Sequence, residues 1–425
     1  MKHGREFDVL VIGAGPAGMA AAISASGDGR VVGVVDDNPD LGGQIWRGER
    51  AAPHDPEAAR WFRRAYEANP VVLPGTRILA RSGPDALLAE ADGRVVELGF
   101  RRLVLATGAR ELFLPFPGWT RPNVLGAGGI QAMVKAGLPV EGRRIVVAGS
   151  GPLLLAVAAL LRKRGATVAA IVEQAPLGKL VGFGLGLWSA PGKIRQAIGL
   201  RAGLGGVPFR AGWWPVEAQG PGSNDPIESV AITDGRSTRV ERCDLLACGF
   251  GLVPNLELAT VMGCAIDRGS VGVDDRQQTS VPGIFAAGEA TGVGGVEAAL
   301  VEGQIAGYAA IDRDDLARPL FAARDHARKF ARSLETAFAL RPELRQLARP
   351  DTIVCRCEDV RAAAIAGHSG WTDAKLQTRL GMGPCQGRVC GGAVAFLHGW
   401  SRGSIRPPIY PTSLDNLATV LAEAQ

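Results

Sequence analysis

Four cysteines near the end of the chain are spaced for chemistry. Cys355 and Cys357 stand one residue apart in VCRCEDV, and Cys385 and Cys390 four residues apart in GPCQGRVCG. Four thiolates suit zinc or an iron–sulfur cluster. Zinc ribbons use C-x-x-C knuckles, whose two-residue gap lets backbone N–H groups reach sulfur, and neither pair has that gap. A two-iron cluster is larger and can seat two ligands across a narrower or wider gap. Its four thiolates, two ferric ions and two sulfides leave a net charge of about −2. Arg356 and Arg388 lie beside the ligands, and Gly381, Gly383, Gly387, Gly391 and Gly392 let backbone N–H groups approach the sulfurs. A helix expected to start near Cys385 adds its positive end. The spacing therefore favours a 2Fe–2S cluster over zinc or over unligated structural cysteines.

The other three cysteines carry less. Cys243 and Cys248 have a four-residue gap, as a disulfide reductase can use. They fall on an apolar strand, where side chains five apart point to opposite faces. These two and Cys264 read as core cysteines. The five histidines (His3, His54, His326, His368 and His398) lie outside every motif, and none is an obvious general base.

The elements that position a second kind of chemistry come first in the chain. FDVLVIGAGPAGMAAAISA (residues 7–25) reads as a buried strand, a glycine turn and a helix start. In the turn Gly13-Ala14-Gly15-Pro16-Ala17-Gly18, Gly13 permits the tight bend. Gly15 lets a pyrophosphate approach the backbone, and Gly18 lets helix and strand pack closely. The helix N-terminus supplies free N–H groups for phosphates. The second strand, RVVGVVDD, places Asp36 23 residues after Gly13, where a carboxylate accepts hydrogen bonds from an adenosine ribose; Asp37 is the adjacent candidate.

Residues 143–174 repeat the pattern, with a strand at 145–148, Gly149-Ser150-Gly151, a helix, and a strand ending at Glu173. Leu154 stands where the third small residue belongs, and its side chain is expected to push helix and strand apart. No arginine pair follows to grip a 2′-phosphate. NAD(P) or another nucleotide at this second site is therefore doubtful.

Three further segments resemble two-dinucleotide-binding-domain flavoproteins. LVLATGARE holds Ala106, Thr107 and Gly108; GIFAAGEATG holds Gly288 and Glu289, with Glu where the family has Asp; LGGQIWR holds Gly43 and Gln44. The resemblance covers residues 1–312 and implies bound FAD, with Glu289 toward the ribitol. TRLGMGPCQGRVCG resembles the small helical module of bacterioferritin-associated ferredoxin over about residues 350–405, which implies that Cys355, Cys357, Cys385 and Cys390 hold a 2Fe–2S cluster. The whole length, including residues 109–137, resembles the alpha subunits of multi-subunit flavin dehydrogenases. These include D-hydroxyproline and L-proline dehydrogenases, opine oxidases and hydrogen cyanide synthase.

That resemblance implies an electron-transferring FAD/2Fe–2S subunit. A flavoprotein beta subunit would oxidise the C–N bond of an amino or imino acid. Further partners would be a small ferredoxin-like subunit, with an external electron acceptor beyond it. The rival is a self-contained NAD(P)H-dependent reductase, and a third class is a scaffold with dead nucleotide folds.

The expected fold class is α/β: two Rossmann-like domains, the second inserted in the first, plus a small, mainly helical C-terminal module. The FAD-binding domain is expected at 1–125 and 243–312, the NAD(P)-binding-like domain at 126–242, a helical linker at 313–349, and the 2Fe–2S module with the tail at 350–425. With 425 residues, 47% of them hydrophobic, such a core is affordable. Net charge is +5 with the cations scattered, which gives no support for nucleic-acid binding. The N-terminus lacks the signal-peptide pattern. The most apolar run, residues 145–161, is shorter than the ~20 residues that span a bilayer. The expected location is cytoplasmic, with no transmembrane segment and any membrane contact peripheral, at the inner face.

Overall fold

The computed structural model describes residues 4–423 apart from 28, 52, 187–191, 193–198 and 200. The glycine-rich stretch 181–205 reads from its sequence either as a partner- or substrate-facing loop region or as a packed helical hairpin; residues 187–191, 193–198 and 200 of it lie outside the described residues, as does His3.

The chain forms two compact units. One comprises Met1–Arg110, Val253–Arg332 and Ser404–Gln425; the other comprises Glu111–Leu252 and Ser333–Gly403. In the first unit the strand Arg5–Ile12 runs parallel to Val32–Val35 on one side and to Arg94–Leu105 on the other, with Val9 opposite both Val32 and Arg102. Val71–Leu73 and Ile284–Ala286 extend the parallel set. The first half of Arg94–Leu105 instead pairs antiparallel with Ala86–Ala91, which pairs with Arg77–Gly83. Strands covered on both faces read as continuous apolar runs, and Val9, Leu10, Val11 and Ile12 are all buried.

The fingerprint helix Pro16–Ala25 packs against Gly295–Ala310 through small residues. A side chain at Gly303 would strike the Ala17 carbonyl, so glycine is what permits the approach.

In the second unit five parallel strands run in the order Phe209–Ala211, Thr167–Glu173, Arg144–Gly149, Leu245–Gly249, Val124–Gly126. The sequence assigned residues 111–125 and 243–252 to the first domain, and here they build the second. Leu114, Phe116, Trp119 and Val124 enter its core, and Leu245–Gly249 fills a central place in its sheet. Cys243 and Cys248 were expected on opposite faces, yet both lie in this one core. Cys243 precedes the strand, so period-2 alternation does not connect the two. Burial pushes the Cys243 thiol up to about 12 and Cys248 well above its ordinary value, which leaves both unreactive.

The cysteine module has its own small core of Val354, Val360, Ile365, Trp371, Leu380 and Val394. Ala393 and Phe396 of its helix Cys390–His398 join the core of the five-stranded sheet. The C-terminal tail packs in the first unit rather than with this module. Ile409 N–H donates to Leu79 O (2.7 Å), and Thr412 Oγ1 donates to Glu90 Oε2 (2.7 Å). Among the described residues, no helix is long and apolar enough to cross a membrane.

Candidate functional site

The first glycine turn bends tightly from strand into helix. Gly13 takes φ +106°, Gly15 is extended at φ −70°, and the helix begins at once with Pro16. Ala17 and Gly18 are buried where that helix meets the strand. Asp36 at the end of the second strand is half-buried; its Oδ2 accepts from Ala14 N–H (2.6 Å) and its Oδ1 from Asn38 N–H (2.8 Å). Asp37 is exposed and bonds Asn38.

The loop carrying Gly43 and Gln44 lies over this turn. Gly42 N–H donates to Ala14 O (2.8 Å), and a side chain on Gly43 would come within 2.9 Å of Gly15 Cα. Ala106 N–H donates to Ile12 O, which sets Ala106, Thr107 and Gly108 beside the turn. Thr107 Oγ1 donates to Asn255 O, and Asn255 Nδ2 donates back to Thr107 O, both at 2.8 Å.

Two buried polar atoms here lack a protein partner. Glu289 Oε1 accepts from Gly295 N–H (3.0 Å), while Oε2 is buried and unpaired. Arg47 donates through Nη2 to Asn38 and Gln44, while its buried Nε has no partner. A buried carboxylate oxygen and a buried guanidinium N–H left open fit the hydroxyls and phosphates of a dinucleotide. Burial, with Glu302 nearby, pushes the Glu289 carboxyl up to about 7.

Sequence reasoning missed the clamp behind Glu289. Buried Glu302 accepts from Gly288 N–H (3.0 Å) and Thr291 Oγ1 (2.8 Å), and Arg328 Nε donates to its other oxygen (2.8 Å). Arg328 Nη2 also donates to Gln277 Oε1, whose amide holds Ala286 O. The one available signal was an acid in the small-residue helix GVEAALVEGQIAGYAA. Arg47 and Asn38 were missed as well, because no motif contains them.

The second glycine turn takes a different path. Gly149 has φ +137°, Gly151 has φ +105°, and Pro152 intervenes before the helix Leu153–Lys163. Leu154 enters the core with Val147, Val157 and Ile171, at 1% exposure, instead of wedging helix from strand. Glu173 is 2% exposed, with Oε2 accepting from Gly151 N–H (2.7 Å) and Oε1 from Ala175 N–H (2.8 Å). Burial pushes its carboxyl up to about 7 against the pull of those donors.

The four late cysteines come together as two contacting pairs. The strand Ile353–Cys355 presents Cys355, whose thiol meets that of Cys390, while the Cys357 thiol meets that of Cys385. Cys355 and Cys390 are buried at 1% and 2%, whereas Cys357 is exposed and Cys385 half-exposed. The Cys390 contact, helped by N–H groups of Gly381, Glu358 and Cys357, brings the Cys355 thiol down to about 6. Cys357 receives the Cys385 N–H. A side chain on Gly383 would strike Cys357, and one on Gly381 would come within 2.6 Å of Trp371.

The helix expected near Cys385 begins at Cys390, because Gln386 (φ +49°) and Gly387 (φ +75°) break the preceding turn. Among the described residues, no three Cys, His, Asp or Glu side chains converge on the place of one metal ion. Thiols that receive N–H donors are the kind of donor set an anionic iron–sulfur cluster takes.

The model for the pyridine nucleotide-disulphide oxidoreductase family matches residues 7–304. The chain belongs to that family and is an FAD-dependent oxidoreductase. More narrowly, its relatives are components of multi-subunit enzymes. It is 33% identical to an opine oxidase subunit of Rhizobium meliloti, across 98% of this chain and 99% of that one. It is 31% identical to hydrogen cyanide synthase subunit HcnB of Pseudomonas aeruginosa, across 90% of each. Among solved structures, L-proline dehydrogenase from P. horikoshii shares the fold at TM-score 0.71 and 21% identity, over 98% of this chain and 80% of that one. Thioredoxin reductase of T. acidophilum does so at TM-score 0.57 and 21% identity, over 73% of this chain and 99% of its own.

Proposed function

We propose that this chain is the electron-transferring FAD/2Fe–2S subunit of a hetero-oligomeric dehydrogenase or oxidase acting on the C–N bond of an amino or imino acid. The observation that carries the reading is the joint presence of a dinucleotide turn flanked by unpaired buried polar atoms in one unit and two facing thiol pairs in the other. A bound flavin supplies two-electron exchange that can be released singly, and a two-iron cluster supplies one-electron transfer.

Gly13, Gly15 and the N-terminus at Pro16 hold the pyrophosphate, Asp36 the adenosine ribose, and Glu289 the ribitol. Glu302 and Arg328 fix the Gly288 turn that aims Glu289. Cys355 and Cys390 form the buried pair of cluster ligands, Cys357 and Cys385 the outer pair.

The substrate site belongs on a partner flavoprotein beta subunit. A small ferredoxin-like subunit, then an external acceptor, completes the path. The reading places the assembly in the cytoplasm, with any membrane association peripheral to the inner face. The relatives' status as subunits supports a partnered enzyme.

The test is purification of the tagged chain under argon from its own cells. The expected preparation holds FAD, about two irons and two acid-labile sulfides per chain, and a second flavoprotein at fixed stoichiometry. Chain that purifies alone and without iron sinks the reading. Iron-loaded chain that purifies alone and turns over NADPH supports the self-contained reductase instead.

A further inference from the structure

We propose that the second dinucleotide-binding fold is a socket for the chain's own residues 338–341, which seat the cysteine module there, and that it takes no nicotinamide nucleotide. In a fold of this kind the pyrophosphate rests on the glycine turn and the ribose on the acid ending the second strand. Here both places are turned inward.

Ser150, between the two glycines, sends its hydroxyl to Phe338 O at 3.0 Å. Gln174, directly after the acid, is fully buried. Its Nε2 donates to Ser150 Oγ (2.9 Å) and reaches Phe338 O and Ala339 O (3.3 Å each), while its Oε1 accepts from Arg341 N–H (3.1 Å). One amide side chain thus meets backbone donors and acceptors of the inserted segment, as a neighbouring strand would. The two oxygens of Glu173 are engaged by Gly151 and Ala175 at 2% exposure, out of reach of a ribose hydroxyl.

Side chains on the segment complete the closure. The Arg341 guanidinium lies 4.1 Å from the Trp214 ring centroid and donates to Gly212 O (3.2 Å). Phe338 meets Phe183 edge-on, with centroids 5.6 Å apart. Leu340, Leu344 and Leu347 share a core with Val146, Ala148 and Val172 of the sheet, and so do Ala393 and Phe396 of the helix that begins at Cys390. A nucleotide entering the turn would have to displace residues that hold the cysteine module on the sheet. In the first fold the corresponding acid, Asp36, is only half-buried.

The proposal is independent of the identity of any partner protein. Its test uses the full-length protein with FAD bound, followed by amide hydrogen exchange and by flavin absorbance under argon. NADH and NADPH are each added to about 1 mM, the upper end of ordinary enzyme affinities. The expected result is strong protection of the Arg341 amide that neither nucleotide changes, with no saturable binding and no flavin bleaching. Saturable binding of either nucleotide overturns the proposal, whether or not exchange at 338–341 rises.

Gln174→Ala with Ser150→Ala is expected to speed exchange at Arg341 by about tenfold or more, with the FAD spectrum unchanged. Unchanged exchange in that folded variant also overturns the proposal. Should the pair not fold, Gln174→Ala alone serves as the second variant and is read the same way.

Discussion

The two nucleotide folds are built from the same parts and differ in what they leave unsatisfied. Each has a parallel strand, a glycine turn, a helix and an acid ending the second strand whose carboxylate accepts a turn N–H. In the first, Gly15 is extended at φ −70°; in the second, the matching Gly151 takes φ +105°. Around the first, Glu289 Oε2 and Arg47 Nε are buried and unpaired. Around the second, the hydroxyl of Ser150 and the amide of Gln174 are spent on residues 338–341. The second fold keeps one such atom too, Arg341 Nε on the inserted segment, so what separates the folds is that the turn hydroxyl and the residue after the acid are spent within the chain in the second.

Exchanging the third fingerprint residue gives the largest expected contrast. Gly18→Leu copies the second fold's residue into the first, and a side chain there strikes the Gly13 carbonyl. Flavin absorbance after gel filtration is expected to fall to background. The reciprocal Leu154→Ala removes a side chain with 1% exposure. It is expected to cost about 3 kcal/mol in urea unfolding without creating NADH oxidation. NADH oxidation by that variant breaks the contrast.

Next comes the independence of the two sites. Cys385→Ser is expected to abolish bound iron and acid-labile sulfide while FAD stays, because the thiols and the first glycine turn lie in separate units. Simultaneous loss of flavin, read by absorbance, contradicts that separation.

A smaller effect probes the clamp behind Glu289. Arg328→Ala leaves Glu302 buried without its cation and is expected to cost about 3 kcal/mol in urea unfolding. FAD retention should weaken while the iron content holds.

The last contrast is in pH, where the change is spread over a wide range. Glu173 and Glu289 both have folded pKa values raised to about 7 from an ordinary 4.5. Between those values the folded state binds more protons than the unfolded chain, so stability falls as pH rises through that window and levels off above it. Each contributes a change on the order of 3 kcal/mol at most. In the flavin-free protein both should show as a melting temperature that drops between pH 5 and pH 7, in differential scanning calorimetry. Bound FAD is expected to flatten the Glu289 part by partnering Oε2, and to leave the Glu173 part unchanged. Equal flattening of both removes the distinction between the folds.

Much of this was legible because it is local. Gly13, Gly15 and Gly18 with an acid 23 residues on declare a strand, a turn and a helix by spacing. The cysteine spacings, too, singled out four thiols, which the fold arranges as two contacting pairs. Other features depend on residues far apart in the chain. Glu302 reaches Gly288 and Arg328, Gln174 reaches Phe338, and the tail returns to Leu79 and Glu90. Leu154 was read correctly as a departure, but its effect was not. The leucine became core.

The sequence by itself determined the kinds of element, the two nucleotide folds and the four thiols, because each follows from short-range periodicity, glycine conformation or side-chain chemistry. Only the tertiary structure decided which thiol faces which, where the units divide, and which nucleotide turn stays open. Those outcomes depend on which buried polar groups find partners among distant residues. A buried donor or acceptor must be paired wherever the chain can supply a group, so only the completed packing shows which ones remain for a ligand.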